Sequence, residues 1–500
     1  MPTGMGGYFQ ALFPGGSALT AADYVVFAAM LAGMIYLGRR AAARTDTAED
    51  YFLAGRGEHW LAAALALVAA EVSTATLLGV PAASFREDWT FLQFFLGAAA
   101  ARVLVAVVIL PAFFRDGGET PYAYLGNRFG PRTRILGAAM FAVTRVLVSS
   151  VRLLAACAAV GFLLGWSPAP TLILFTAVSI AALARGGARA AVWTGAFQAL
   201  AILAVGVLTV AFLLRRVDGG VGAAWSLAGE AGKLRVFSGP AALAVAAITG
   251  FFGSAAAYGT DHQLVQKLLT VKDASAARRA LFLAITLSLG ILTLYLLAGT
   301  LLFVFYKQNP GMALPTRADL LYPHFASKMM GPVMRGLVLS VLALASTDAP
   351  LAALSSSFVA DLRRPFARGA DSPETELRLA RTAAVVFALL RAALVGVFAF
   401  SAEALSFTFK SAGVAAGPLL GIFLFGLATK RRGDGKVAVA FGIMIAADLI
   451  LLILSERGLL PFGWSWLFVA GPIGAFALAW AFTSERYFPG EKSVSPSPRT

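Results

Sequence analysis

Long apolar runs separated by short polar stretches dominate the chain from residue 21 to residue 482. A helix that crosses the hydrocarbon core of a bilayer needs about 20 consecutive, mostly apolar residues. Thirteen runs approach or exceed that length, at residues 21–38, 59–84, 90–114, 133–165, 169–184, 187–214, 239–258, 280–306, 333–358, 380–401, 404–428, 437–455 and 464–482. The pattern therefore predicts an all-α membrane protein with about 13 transmembrane helices.

The second apolar run contains polar residues that a simple membrane-spanning helix does not need. Residues 69–81 read AAEVSTATLLGVP and place Glu71, Ser73, Thr74 and Thr76 inside the run. Ionisable residues at membrane depth are costly and usually mark a path for a substrate or an ion. Broken helices in transporters also expose backbone carbonyl groups to a cation. We therefore expect a broken helix in an ion-coupled transporter.

Unwinding near residues 69–73 would free carbonyl oxygens such as those of Ala69 and Val72. Sodium takes oxygen ligands, and neutral carbonyl groups supply them without a buried charge. Glu71 would then either face the cation or pair with an arginine of a neighbouring helix.

The stretch at residues 336–361, which overlaps the ninth run, offers a second set of oxygen ligands. Ser346, Thr347 and Asp348 fall in its middle, and Ala343 precedes Ser346 by one helical turn. One carbonyl group and two hydroxyl groups could converge on one ion there. Alternatively, the hydroxyl groups bond to carbonyl groups of their own helix and allow close helix packing, which does not explain Asp348.

Arginines inside the fourth run require anionic partners. Arg145 and Arg152 are seven residues apart and therefore share one face of a helix. Their partners are either Glu71 and Asp348 or the carboxylate of a substrate. The sequence leaves both possibilities open.

Two other arginines and two aromatic residues have structural roles as the simplest explanation. Arg102 and Arg391 fall in the middle of their runs, and we expect each to pair with a neighbouring helix inside the bundle. Phe252 and Tyr258 in the seventh run either belong to the core or contact a solute.

Composition and charge define the class of protein and its orientation. Hydrophobic residues make up 59% of the chain and charged residues 13%, whereas soluble proteins carry roughly 25% charged residues. The net charge of +15 does not indicate a nucleic-acid partner, because the basic residues fall mostly in short loops. With the N-terminus outside, roughly 26 basic residues are cytoplasmic, about 10 lie outside and five lie within the spans. We predict a multi-pass plasma (inner) membrane protein with residues 1–20 outside, a transmembrane domain at 21–482 and a cytoplasmic tail at 483–500.

Motifs of other protein classes are missing from the sequence. The single Cys157 cannot form a disulfide framework. The chain contains no HExxH, CxxC, Walker or GxSxG pattern, and we therefore do not expect an enzyme. Residues 1–16 lack the basic start of a signal peptide. Nothing in the sequence indicates an obligate protein partner.

Several segments together resemble the sodium:solute symporter family. They are EDYFLAGRGEHW at 49–60, TATLLGVP at 74–81, TPYAYLGNRFG at 120–130, HQLVQKLL at 262–269, ASTDAP and FVAD within 345–361, and GPLLGIFLFGLATKR at 417–431. The resemblance implies a LeuT-like fold of two inverted five-helix repeats, at about 59–214 and 239–428, with one leading and two trailing helices. It also implies uptake of a solute by alternating access, coupled to inward sodium flow.

The resemblance further implies the residues of both sites. Sodium would bind to the carbonyl groups of Ala69, Val72 and Ala343 and to the hydroxyl groups of Ser346 and Thr347, with Glu71 and Asp348 in support. A shift of one residue would put Ala345 and Ser346 at the hydroxyl positions instead. The solute would contact Ser73, Thr76, Gln93, Arg145, Arg152, Phe252 and Tyr258.

One departure from the family pattern affects the number of ions. Some members bind a second sodium through an aspartate that follows a Trp-Thr pair, whereas Gly195 follows Trp193 and Thr194 here. We therefore expect one sodium ion. The arginine-containing pocket favours a small organic acid or an amino acid as the solute. The alternative is a proton-coupled symporter that uses Glu71 or Asp348.

Overall fold

The computed structural model describes residues 19–315, 317–347, 350–367, 371–399, 404–460 and 463–484. Every regular element of these residues is a helix. The elements used below are α1 (Ala21–Ala42), α2 (Trp60–Glu71), α3 (Thr74–Arg86), α4 (Leu92–Asp116), α5 (Pro131–Leu164), α6 (Pro168–Leu183), α7 (Gly187–Leu214), α8 (Pro240–Thr260), α9 (His262–Leu269), α10 (Ala274–Gln308), α11 (Met334–Thr347), α12 (Leu351–Ser357), α13 (Pro373–Phe398), α14 (Ala404–Ala428), α15 (Asp434–Glu456) and α16 (Leu467–Phe482). Short helices at Ala48–Leu53, Pro121–Arg128, Gly220–Glu230 and Leu321–Met329 connect some of them.

The prediction of about thirteen membrane spans is confirmed. Within the described ranges, eleven helices are long and apolar enough to cross a membrane, and α2 with α3 forms a bent twelfth span. The shorter apolar helix α6 coincides with the remaining predicted run. Helix α5 has 34 residues, which gives it a length of about 51 Å at 1.5 Å per residue. That length exceeds a hydrocarbon core of about 30 Å, so α5 tilts or extends beyond it, as its sequence predicts.

Close contact between α4 and α8 brings two parts of the site together. A Cβ atom on Gly97 would lie 1.8 Å from the carbonyl oxygen of Ala247, and one on Gly250 would lie 2.2 Å from that of Phe94. Only glycine therefore allows the two backbones to approach this closely. Because of this contact, Arg102 on α4 lies next to Tyr258 on α8.

The two mid-span arginines face the interior of the bundle, as predicted. Arg102 is 3% exposed and Arg391 is 2% exposed. Arg391 on α13 donates to the hydroxyl of Ser179 on α6 over 3.2 Å. Ser179 in turn donates to the carbonyl oxygen of Thr347 over 3.4 Å. This relay connects α13 and α6 to the end of α11, where the predicted hydroxyl ligands lie.

Candidate functional site

The second span is broken where the sequence predicts it. Helix α2 ends at Glu71, α3 begins at Thr74, and the two helices meet at an angle of 64°. Val72 and Ser73 between them have extended backbone, with ψ angles of 104° and 170°. The amide of Ser73 donates to Thr76 Oγ1 over 3.4 Å. It therefore does not close a helical turn on the carbonyl group of Ala69, which remains available as an oxygen ligand.

Glu71, at the end of α2, connects four helices. Its carboxylate forms an ion pair with Arg102 on α4. It also accepts hydrogen bonds from the hydroxyl of Tyr258 on α8 at 2.8 Å and from that of Ser288 on α10 at 2.6 Å. Arg102 donates through Nε to Ser254 over 3.2 Å, and its guanidinium lies 4.4 Å from the centroid of the Tyr258 ring. The expected pairing of Arg102 with a neighbouring helix, and the alternative of an arginine partner for Glu71, are thus observed between these two residues.

A cavity of about 210 Å³ opens beside this network. Its lining includes Glu71 and three arginines, namely Arg102, Arg145 and Arg152. Arg145 forms an ion pair with Asp261, which joins α8 to α9. Arg152 donates to the carbonyl oxygen of Ala70 over 3.2 Å. Three guanidinium groups and the carboxylate of Glu71 line this larger cavity, and Asp261 pairs with Arg145 beside it, which leaves one positive charge in excess.

A smaller cavity, of about 10 Å³, lies on the other side of Arg145 and Arg152. Ala69 on α2 and Ser346 on α11 line it, together with both arginines and Arg391. Its volume is close to the minimum of about 10–15 Å³ that one water molecule needs. By size it can hold one small ion and cannot hold an organic solute, and among the described residues three arginines and no carboxylate line it.

Thr74 connects the broken helix to α11 beside the smaller cavity. Its hydroxyl donates to the carbonyl oxygen of Leu342 over 2.7 Å and lies 2.5 Å from Ser346 Oγ. Ser346 Oγ also lies 3.5 Å from the carbonyl oxygen of Arg152. One hydroxyl group of α11 thus contacts both the start of α3 and the helix that carries the two shared arginines.

A profile of the sodium:solute symporter family matches residues 51–441, which is most of the chain. The chain belongs to this family. It is therefore a sodium-coupled solute symporter of the membrane, and sodium is its coupling ion.

Curated relatives extend over similar lengths of the symporter. The sodium/sialic acid symporter SiaT of Proteus mirabilis is 26% identical over 441 residues, which cover 85% of this chain and 88% of that protein. The human sodium-coupled monocarboxylate transporter 1 is 26% identical over 421 residues, which cover 81% of this chain and 69% of that protein.

Solved structures confirm the predicted LeuT-like fold of the symporter. A Na⁺-coupled sialic acid symporter in a substrate-bound, outward-open state superposes with a TM-score of 0.83 at 23% identity. The superposition covers 92% of this chain and 97% of that chain. Mhp1, a nucleobase-cation-symport-1 family transporter, superposes with a TM-score of 0.54 at 15% identity and covers 86% of this chain and 93% of that chain.

All five predicted sodium ligands are buried in the symporter. The exposed fraction is 5% or less for Ala69, Val72, Ala343, Ser346 and Thr347. The two hydroxyl groups diverge, because Thr347 Oγ1 donates to the carbonyl oxygen of Leu344 over 2.8 Å and lies 3.1 Å from Met34 Sδ on α1. Asp348 lies outside the described residues. The assignment of these residues to sodium stays a prediction.

The predicted solute residues fall into two groups. Arg145, Arg152 and Tyr258 line the larger cavity. The others, which the structure does not place in its lining, are Ser73, Thr76, Gln93 and Phe252. Ser73 and Thr76 cap the start of α3, Gln93 donates to Ser238 over 3.0 Å, and Phe252 packs edge-on against Phe251. Their contact with solute stays a prediction.

Gly195 on α7 packs closely against α2. A Cβ atom on Gly195 of α7 would lie 3.0 Å from the Cα atom of Ala66 on α2. A side chain at this position would press on the helix that carries the predicted sodium ligands. The number of sodium ions stays a prediction.

Sequence reasoning missed three contributors to the site. Thr74 was noted only as one member of a polar run, and Ser288 is one serine in a long apolar helix. Asp261 follows the seventh run directly, and an acid at the end of an apolar run is the signal that could have indicated a partner for Arg145.

Proposed function

We propose that this symporter takes up a small organic anion together with one sodium ion. The excess positive charge of the larger cavity supports an anion over an amino acid. An ammonium group would need a carboxylate partner, and Glu71 already accepts from Arg102, Tyr258 and Ser288. Sialic acid and monocarboxylates, after which two relatives are named, are organic acids, which also supports this solute class.

In this proposal the solute carboxylate binds to the guanidinium groups of Arg145 and Arg152. Paired donors of arginine match the two oxygens of a carboxylate. Tyr258 adds an aromatic wall to the same cavity. Of the remaining predicted contacts, Ser73 and Thr76 lie at the break and Gln93 and Phe252 lie on the flanking helices α4 and α8. They would reach the solute as the helices close around it.

Sodium binds between the broken helix and α11 in this proposal, on carbonyl groups of Ala69, Val72 and Ala343 and on hydroxyl groups of Ser346 and Thr347. The proposed coupling between sodium and solute binding rests on the observation that Arg145 and Arg152 line both cavities. Their positive charge disfavours a cation in the smaller cavity until an anion binds in the larger one. Each ligand therefore raises the affinity for the other by the same factor.

The membrane orientation is part of the same proposal. The N-terminus lies outside and the C-terminus in the cytoplasm of a plasma (inner) membrane, which the distribution of basic loop residues supports. In this proposal the protein is a transporter without enzymatic activity. The two five-helix repeats extend over about 59–214 and 239–428.

The test measures sodium binding in the absence and presence of an anionic solute. A panel of organic acids and their neutral amides is screened by thermal stability of the purified protein in sodium and in potassium, because a ligand of the folded state stabilises it. Once the screen identifies an acid that stabilises the protein, the sodium affinity of the wild type and of Arg152→Gln is measured with and without that acid. Arg132→Gln, an exposed arginine at the start of the same helix, is the control.

The wild type should bind sodium about 5- to 150-fold more tightly when the acid is present. Arg152→Gln should bind sodium more tightly than the wild type without acid and should lose most of the enhancement. Arg132→Gln should behave like the wild type. Stabilisation by amides as strong as by acids, or an unchanged enhancement in Arg152→Gln, contradicts the proposal.

A further inference from the structure

A groove on the outside of the bundle, whose described lining shares no residue with the two cavities of the transport site, has the features of a binding site. It lies between the end of α1 and the start of α7 and has a volume of about 560 Å³. Leu37, Arg40 and Arg44 form one wall, and Arg189 and Trp193 form the other. Because α1 ends and α7 begins here, the groove lies where two apolar spans reach the membrane–water interface.

Residue spacing gives both walls the same gradient from apolar to cationic. Leu37 and Arg40 are three residues apart on α1 and therefore share a face, and Arg44 lines the same groove just beyond the end of the helix. Arg189 and Trp193 are four residues apart on α7 and also share a face. On each wall the apolar residue lies about one turn deeper in the span than the nearest arginine. The groove is therefore apolar on its membrane side, and in its lining three arginines outnumber one carboxylate, that of Glu58.

The three arginines differ in how they are held. Arg189 is fixed by Glu58, whose carboxylate lies 3.1 Å from its Nε, and by the carbonyl oxygen of Ala54 at 2.7 Å from its Nη2. Arg40 and Arg44 are exposed, and neither guanidinium forms a hydrogen bond or an ion pair with another residue in the described ranges. Two guanidinium groups are thus available at the mouth for an anion with several oxygens.

We propose that this groove binds an anionic phospholipid, with its phosphate group on Arg40 and Arg44 and an acyl chain along Leu37 and Trp193. Guanidinium groups match phosphate oxygens bidentately, and basic pockets between membrane helices suit anionic headgroups. A free phosphate ion would use the same arginines but would leave the apolar depth of the groove without a contact. Trp193 is 44% exposed, and an indole at this level is typical of side chains at the lipid interface. The lipid would hold α1 against α7, the helix that packs on α2.

The experiment measures lipid binding to the full-length purified protein by native mass spectrometry and by thermal stability. The probes are dioleoyl phosphatidylglycerol, dioleoyl phosphatidylcholine and inorganic phosphate. The test variant is Arg40→Gln/Arg44→Gln, and Arg40→Lys/Arg44→Lys retains the charge without the planar donors. The matched control is Arg215→Gln/Arg216→Gln, which removes two exposed arginines just beyond the opposite end of α7.

Phosphatidylglycerol should bind the wild type more tightly than phosphatidylcholine does. The glutamine pair should bind it about tenfold or more weakly, because two charge-assisted hydrogen-bonding groups are lost. The lysine pair should be intermediate and the control pair unchanged. Equal binding by the wild type and the glutamine pair overturns the proposal, as does an equal loss in the control pair. Displacement of the lipid by inorganic phosphate, with equal stabilisation, would show a free-phosphate site and would also overturn it.

Discussion

Two cavities lie on either side of Arg145 and Arg152, and they differ in size and in chemistry. The larger, of about 210 Å³, contains a carboxylate with three partners and an aromatic wall. The smaller, of about 10 Å³, is lined by Ala69 and the hydroxyl of Ser346. Glu71, the last residue before the break, lines the larger cavity, whereas Ala69 lines the smaller one and Thr74, after the break, contacts Ser346.

The difference indicates how one broken helix serves two ligands. Carboxylate and guanidinium groups before the break hold a network across four helices, which suits a charged organic molecule. Carbonyl and hydroxyl oxygens around the break suit a sodium ion. Because Arg145 and Arg152 line both cavities, we expect a charge bound in one cavity to change the affinity of the other cavity for its ligand. The following variants test that difference.

Loss of the Glu71 carboxylate should have the largest effect on the larger cavity. Glu71→Leu leaves the 3%-exposed Arg102 without its ion-pair partner. An uncompensated buried charge costs about 3–5 kcal/mol, so the apparent melting temperature should fall strongly. Arg102→Met should be similarly destabilising. The double variant Glu71→Leu/Arg102→Met should recover most of the stability and remain without solute uptake.

Asp448 on α15 provides a matched control for Glu71. It is a fully buried carboxyl in a membrane span, and neither of its oxygens has a hydrogen-bond partner in the part of the chain that the structure describes. Asp448→Asn should therefore leave thermal stability and uptake close to those of the wild type. If thermal melts of Glu71→Leu and Asp448→Asn coincide, the network around Glu71 does not stabilise the broken helix.

Removal of the Ser346 hydroxyl should act on sodium and leave the solute contacts intact. Ser346→Ala deletes an oxygen that lines the smaller cavity. The sodium concentration for half-maximal uptake should rise about tenfold, which corresponds to ~1.4 kcal/mol. Uptake into proteoliposomes at varied external sodium measures it. The solute affinity at saturating sodium should not change, and a variant that loses solute affinity alone would place Ser346 in the larger cavity.

Thr347 should contribute less than Ser346, although the sequence treats the two hydroxyl groups alike. Its hydroxyl donates within α11 to Leu344 and lies against Met34. Thr347→Val keeps the volume and should shift half-maximal sodium by about threefold or less, because a net hydrogen bond is worth about 0.5–1.5 kcal/mol and this one is already made within the protein. A shift equal to that of Ser346→Ala would contradict this asymmetry.

The sequence predicts features that lie within one segment, and it does not predict how the helices are rotated about their axes. Apolar run length gave the thirteen spans, and the polar run at residues 69–81 gave the break, because both signals lie within one segment. The partner of Arg145 was not predictable. Asp261 is distant in sequence, and its position against α5 depends on how α8 and α5 are turned about their axes. The divergence of Ser346 and Thr347 has the same cause, since neighbouring residues on a helix point about 100° apart.

Thr74 allows the finest test of the two-cavity division, because it contacts α11 from the far side of the break. Thr74→Val removes the hydroxyl that donates to Leu342 and meets Ser346. The loss of one buried hydrogen bond costs about 1 kcal/mol, which would raise half-maximal sodium by about fivefold. Thr74→Ser keeps the hydroxyl and should restore sodium activation. If Thr74→Val instead weakens solute binding at saturating sodium, the start of α3 contributes to the solute site and not to the sodium site.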